Sequence, residues 1–225
     1  MKNIYLLCNS KYFIMENEKY LQDITEIKNM MNKSSRFLSL SGLSGILAGF
    51  YALIGAFLAN NIIKYTYDSR YVIVRGKINS TSTESAIKQL FIIAAVVVIL
   101  SIITGIILSS AKAKKLEESL WDVSSKRLVV QFAIPLITGG LFALALLYQG
   151  YYGLIAPVTL IFYGLACVNA SKYTLGDVKY LGLTMIFIGL ISTFLIGYGL
   201  FFWAIGFGFC HIGYGYVMYK KYDRK

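Results

Sequence analysis

The chain has 225 residues, of which 57% are hydrophobic and 15% charged, with a net charge of +11. Soluble domains carry about 25% charged residues, so this composition excludes an ordinary soluble fold, and the mean hydropathy of +0.62 agrees. The basic residues are split among short tails and loops. No folded domain presents them together, which argues against a nucleic-acid partner.

Residues 1–14 are too short and too polar for a signal peptide. Met15, followed by Glu16-Asn17-Glu18, reads as a second candidate start. Residues 1–14 would then lie outside the native chain. Residues 16–36 read as a cytoplasmic amphipathic helix. Tyr20, Ile24, Ile27 and Met31 recur at spacings of 4, 3 and 4 and make one stripe. Acidic residues crowd its start and basic ones its end, which complements the helix dipole. Residues 1–36 therefore form a cytoplasmic tail.

Four long gaps in the charged residues follow. Arg36 to Lys64 encloses 27 uncharged residues, Lys88 to Lys112 encloses 23, Arg127 to Lys172 encloses 44 and Lys179 to Lys220 encloses 40. One helix needs about 20 residues to cross the hydrocarbon. The first two gaps are one span each, and the last two are helical hairpins. Their turns fall at Gln149-Gly150-Tyr151-Tyr152-Gly153 and at Gly197-Tyr198-Gly199. The six predicted spans are 37–62, 89–110, 128–148, 152–170, 180–197 and 199–219. Residues 37–219 are thus the transmembrane domain and 220–225 a cytoplasmic tail. Segments such as Leu90 to Leu100 are apolar all round, unlike the alternating strands of a barrel. The fold class is an all-α polytopic membrane helix bundle, with the first two helices as a looser pair and the last four as a compact block.

Between the spans, Tyr71-Val72-Ile73-Val74 has strand composition, and Ser80-Thr81-Ser82-Thr83 reads as a flexible polar run. Residues 111–127 extend the second span as a helix, with Lys114 and Glu118 at i, i+4. Placing both termini inside puts 17 of the 22 basic residues on the cytoplasmic side, as the positive-inside rule requires.

No acidic residue, lysine or arginine lies within a predicted span. Charges inside the membrane mark proton relays and ion pathways, so a proton-coupled carrier is disfavoured. The single histidine, His211, lies mid-span in helix six. One histidine cannot build a bis-histidine haem or a His-rich metal site. The three cysteines form no CxxC pair. No cofactor and no metal are expected. His211 reads as a helix–helix hydrogen bond, or else as a ligand contact. Ser41, Gly45 and Gly49 in helix one, and Ala204 and Gly208 in helix six, follow the small-xxx-small pattern. That pattern suits close packing within the bundle or a homodimer face. Pro135 and Pro157 predict kinks in spans three and four. Hydrolase, zinc-protease and phosphate-loop motifs are missing, so an enzyme is not expected.

Three stretches carry a resemblance: SSRFLSLSGLSGILAGFYALIGA, LIFYGLACVNASKYTLGD and FWAIGFGFCHIGYGYVMYKKY. With the layout of spans, they resemble a family of uncharacterised bacterial six-helix membrane proteins. The resemblance implies a bacterial inner membrane and assigns no activity. The expected function is a non-enzymatic scaffold, or the membrane component of a signalling or regulatory pair. It would form a homo-oligomer in the lipid bilayer and contact a cytoplasmic protein through 16–36 and 111–127. The alternative is a small transporter or channel without a charged relay.

Overall fold

The structure of the protein is a computed structural model that describes residues 39–72, 80–115 and 121–224. The amphipathic helix expected at 16–36 lies outside these residues. Among the described residues there are helices and no strands. They are α1 (Gly42–Val72), α2 (Ser80–Lys115), α3 (Val123–Tyr148), α4 (Ile155–Ala170), α5 (Val178–Phe194) and α6 (Gly199–Asp223). Five are long and apolar enough to cross a membrane, counting α4 with the turn before it. The sixth, α5, is an apolar helix of 17 residues, which is the short end of the spanning range.

The helix ends differ from the sequence expectation in an instructive way. Tyr71 and Val72 are helical rather than strand, and Ser80 to Thr83 open α2 rather than form a loose run. Once a helix is established, each added residue closes a hydrogen bond at low cost. Local β-propensity over two residues does not outweigh that. Conversely, the helix expected through 111–127 is interrupted. Described α2 ends at Lys115, and a turn at Trp121–Asp122 precedes α3. Asp122 caps α3 by accepting from the Ser125 backbone N–H at 2.7 Å, which satisfies one of the orphan donors of a helix start. Glu118, the expected partner of Lys114, lies outside the described residues.

Both hairpin turns fall where glycine permits them. Gly150 has φ +82° and Gly197 has φ +108°, a region open to glycine without steric cost. Pro135 lies inside α3. Pro157, where a kink is expected, falls at a helix start and not in a helix interior. It is the third residue of α4, within the first turn, where its missing N–H has no partner to lose.

The packing order is also not the expected one. α2 packs on α1, α1 packs along α6, α6 packs on α4 and α5, and α3 packs on α4. The first helix is therefore joined to the last, α4 and α6 are the central elements, and α2 and α3 are the outer ones. None of the most apolar window of α2 is buried, and only 6% of that of α3 is. Ile92, Ile106 and Leu141 are each more than 60% exposed. Apolar surface this continuous is stable only against lipid or another protein.

Two seams hold the bundle together, and both are made of glycine. In the first, a Cβ on Gly49 would lie 2.7 Å from the Gly208 carbonyl oxygen, and one on Gly45 would lie 3.3 Å from Gly215 Cα. In the second, a Cβ on Gly164 would lie 2.6 Å from the Gly182 carbonyl oxygen, and the converse distance is the same. The obstructing atoms are backbone and cannot swing away. By contrast, a Cβ on Gly105 or Gly213 meets nothing within 4 Å. We expect Gly49→Ala and Gly164→Ala each to destabilise the detergent-solubilised protein by about 1–3 kcal/mol, whereas Gly105→Ala and Gly213→Ala leave it at least as stable. Thermal unfolding followed by circular dichroism measures the contrast, and equal loss in all four would exclude the seams as its cause.

Candidate functional site

Two polar assemblies stand out among the described residues. One lies in the middle of the bundle and one at its end.

The central one is built on α4 and α6. Residues Ala204–Cys210 of α6 form a π-helical segment, and His211 follows it directly. A π segment widens the helix and re-aims the side chains after it. The His211 ring is 7% exposed and faces α4. Its Nε2 lies 2.8 Å from the Tyr163 hydroxyl, and its Nδ1 lies 3.1 Å from the Gly206 carbonyl oxygen. A carbonyl only accepts, so Nδ1 carries the proton and Nε2 accepts from Tyr163. Both ring nitrogens of the neutral imidazole are thereby satisfied. Phe207 stacks on the ring with an interplanar angle of 20°, and Phe132 meets Tyr163 edge-on at 5.7 Å. Cys167, one turn beyond Tyr163, is buried. No group of three or more His, Cys, Asp or Glu residues is placed to hold a metal among the described residues.

The terminal assembly is charged. Asp223, in the last turn of α6, accepts from the Gly42 backbone N–H at 2.8 Å and from Ser41 Oγ at 3.2 Å. It thus caps the start of α1. Its other oxygen lies 2.7 Å from Lys112 Nζ, near the end of α2, and Lys112 also donates to the Leu40 carbonyl at 2.9 Å. The side chains of Lys112 and Asp223 are only 13% and 10% exposed. One carboxylate therefore joins three helix ends. Two residues earlier, Lys221 donates to Asp177 at 2.7 Å, and the neighbouring Tyr222 hydroxyl donates to the same carboxylate oxygen at 2.9 Å. Asp177 lies between α4 and α5. The Lys221-Tyr222-Asp223 run is thus a clasp between the two sides of the bundle. The Lys221 hydrogen bond holds the Asp177 carboxyl below its ordinary range, against the effect of burial, with Tyr222 assisting.

The residues singled out from the sequence are distributed over these features. Ser41 belongs to the clasp. Gly45, Gly49 and Gly208 lie in the seam between α1 and α6, so that small-residue face is occupied within the chain. Gly208 faces the Leu53 side chain. Ala204 begins the π segment and is half-buried. His211 is joined to Tyr163 across helices. The sequence reading missed Asp223, Lys112 and Tyr163. Asp223 and Lys112 look like ordinary flanking charges in one dimension, and one tyrosine among 18 carries no mark of its partner.

A buried ion pair loses most when one member is left alone. We expect Asp223→Ala or Lys112→Ala each to cost roughly 3 kcal/mol. The double variant should cost clearly less than the sum in a double-mutant cycle; strict additivity would exclude the pairing. The Asp177 contribution should depend on pH. Its folded carboxyl titrates below the unfolded value, so its stabilisation is present above about pH 4 and lost as pH falls through the folded value. The stability difference between the protein and Asp177→Asn should therefore shrink on acidification below about pH 4, as read from melting temperatures across pH 3–7.

No family model, no curated protein and no solved structure matches the chain.

Proposed function

We propose that the protein is a non-enzymatic scaffold of a bacterial inner membrane, with both termini cytoplasmic and its cytoplasmic segments as contact surface for a protein partner. The observation that carries this reading is the closed seam between α1 and α6. Backbone meets backbone at Gly45, Gly49, Gly208 and Gly215, which leaves no aqueous path between the first and last helices. The central His211 also spends both of its nitrogens on Tyr163 and Gly206, so it offers no free group to a passing solute. The clasp supports the same reading. It draws the start of α1, the end of α2 and the α4–α5 connection to one end of the bundle. Among the described residues that end carries Lys112, Lys220 and Lys221, and the tail before α1 and residues 111–127 adjoin it in sequence. The lysine and arginine bias supports a cytoplasmic position for that end.

Oligomerisation is part of the proposal. The outer faces of α2 and α3 are apolar and uncovered, and a second copy would cover them without disturbing either seam. The reading predicts that purified protein in liposomes gives no ion or small-solute flux above empty vesicles. It also predicts that deleting residues 16–36 releases the co-purifying cytoplasmic partner while the bundle keeps its melting temperature. Flux that disappears in a Gly49→Leu variant would instead assign the protein to transport.

A further inference from the structure

α5 packs along α6, and a groove runs beside the contact. Gly206 lies against Met185 and Leu160, beyond His211 Val178 and Met218 share a core cluster, and the groove lies along the flank of this second half. Six residues line it: Asp177 and Tyr180 from the α5 side, and Gly213, Tyr214, Val217 and Lys221 from α6. Gly213, Val217 and Lys221 are spaced by one helical turn each, so the groove runs about 12 Å along α6. Its inner end is the gap left by the side chain that the exposed Gly213 lacks, with nothing within 4 Å of where a Cβ would stand. Its walls are apolar and turned outward, with Tyr180 68% and Val217 54% exposed. Its outer end holds the Lys221–Asp177 ion pair. Lys179 and Lys220, the sequence neighbours of the lining residues Tyr180 and Lys221, are both exposed. The Tyr214 hydroxyl is buried beside the groove without a hydrogen-bond partner, and a buried polar group left unpaired calls for an explanation.

We propose that this groove seats one anionic phospholipid. An acyl chain lies over Val217 into the gap at Gly213, the phosphate sits among the three lysines, and a headgroup or ester oxygen accepts from Tyr214. The distribution of chemistry matches that ligand along its length. The trough is apolar where the chain lies and positive where the phosphate sits. Basic pockets between membrane helices recognise lipid headgroups on these terms. A soluble partner would meet the apolar part of the groove only by entering the bilayer. The inference rests on the helices lying in a bilayer and not on the scaffold reading, so either can fail alone.

The test is native mass spectrometry of the detergent-purified full chain, titrated with phosphatidylglycerol, phosphatidylcholine or glycerol phosphate. One phosphatidylglycerol is expected to remain bound at collision energies that strip phosphatidylcholine, and glycerol phosphate is expected not to compete. Gly213→Leu fills the gap and should abolish retention. Lys179→Gln and Lys220→Gln, which leave the Asp177 pair intact, should each weaken it about fivefold. Gly105→Leu, at an open glycine far from the groove, should retain the lipid like the original protein. Circular dichroism and melting temperature establish that each variant is folded. If Gly213→Leu does not fold, the lysine variants and the lipid comparison decide alone. Equal retention of phosphatidylcholine, full retention in a folded Gly213→Leu variant or in both lysine variants, or displacement by glycerol phosphate would each overturn the proposal.

Discussion

The contact on which the rest of the structure depends is the approach of the α1 backbone to the α6 backbone. In water, two apolar helices are driven together by the solvent. In lipid that drive is absent, because acyl chains are as apolar as leucine. Association must come from close van der Waals contact and from hydrogen bonds between helices. Glycine supplies the first by removing the side chain that would hold the backbones apart. Gly45 and Gly49 on α1 and Gly208 and Gly215 on α6 meet in this way. The seam joins the first helix of the described chain to the last, so it closes the bundle. It also sets the register that brings Gly42 and Ser41 to the Asp223 carboxylate.

With the seam closed, the polar groups of the interior must find partners inside the protein, since water is not at hand to serve them. His211 finds Tyr163 on α4 and the Gly206 carbonyl on its own helix. Asn169 on α4 donates to both the backbone oxygen and the side-chain oxygen of Gln131 on α3, at 2.9 and 2.8 Å. That pair is the polar tie of the outlying α3. The outlying α2 has its own tie in Lys112. Each peripheral helix is thus held by apolar contact and by a polar anchor nearer one end. Serines and threonines such as Ser101 and Thr184 turn back onto the carbonyls of the preceding turn and so need no neighbour. Among the described residues, Ser192 and Tyr214 are the buried hydroxyls without partners. Tyr214 borders the groove where a lipid is proposed. Nothing in the structure explains Ser192.

The functional reading follows from where chemistry is present. The middle of the bundle is tightly joined and its histidine is satisfied. Most of the charged groups among the described residues gather at one end, where the clasp and the proposed lipid seat share Lys221 on about the last three turns of α6. A scaffold suits this distribution better than a carrier does, because a carrier needs a site that both faces of the membrane can reach. Asp177 links the two features, as the partner of Lys221 in the clasp and as part of the groove wall. Lipid in the groove and tension on the clasp would therefore be felt by the same residue.

The sequence by itself determined where the long apolar helices lie and where two of the turns fall. The reason is energetic. A charge in hydrocarbon is costly enough that gaps between charged residues locate helices without any knowledge of their neighbours. Glycine at 150 and 197 marks the turns because other residues resist positive φ. The small residues of α1 and α6 were legible as close-contact positions, but not which helix they contact. That choice belongs to the tertiary structure, because every apolar face is equally acceptable to lipid and nothing local selects a neighbour. The same holds for the polar ties. Asp223 is 111 residues from Lys112 and Tyr163 is 48 from His211. Only the glycine seams, by fixing which helices touch and at what height, bring those atoms within reach.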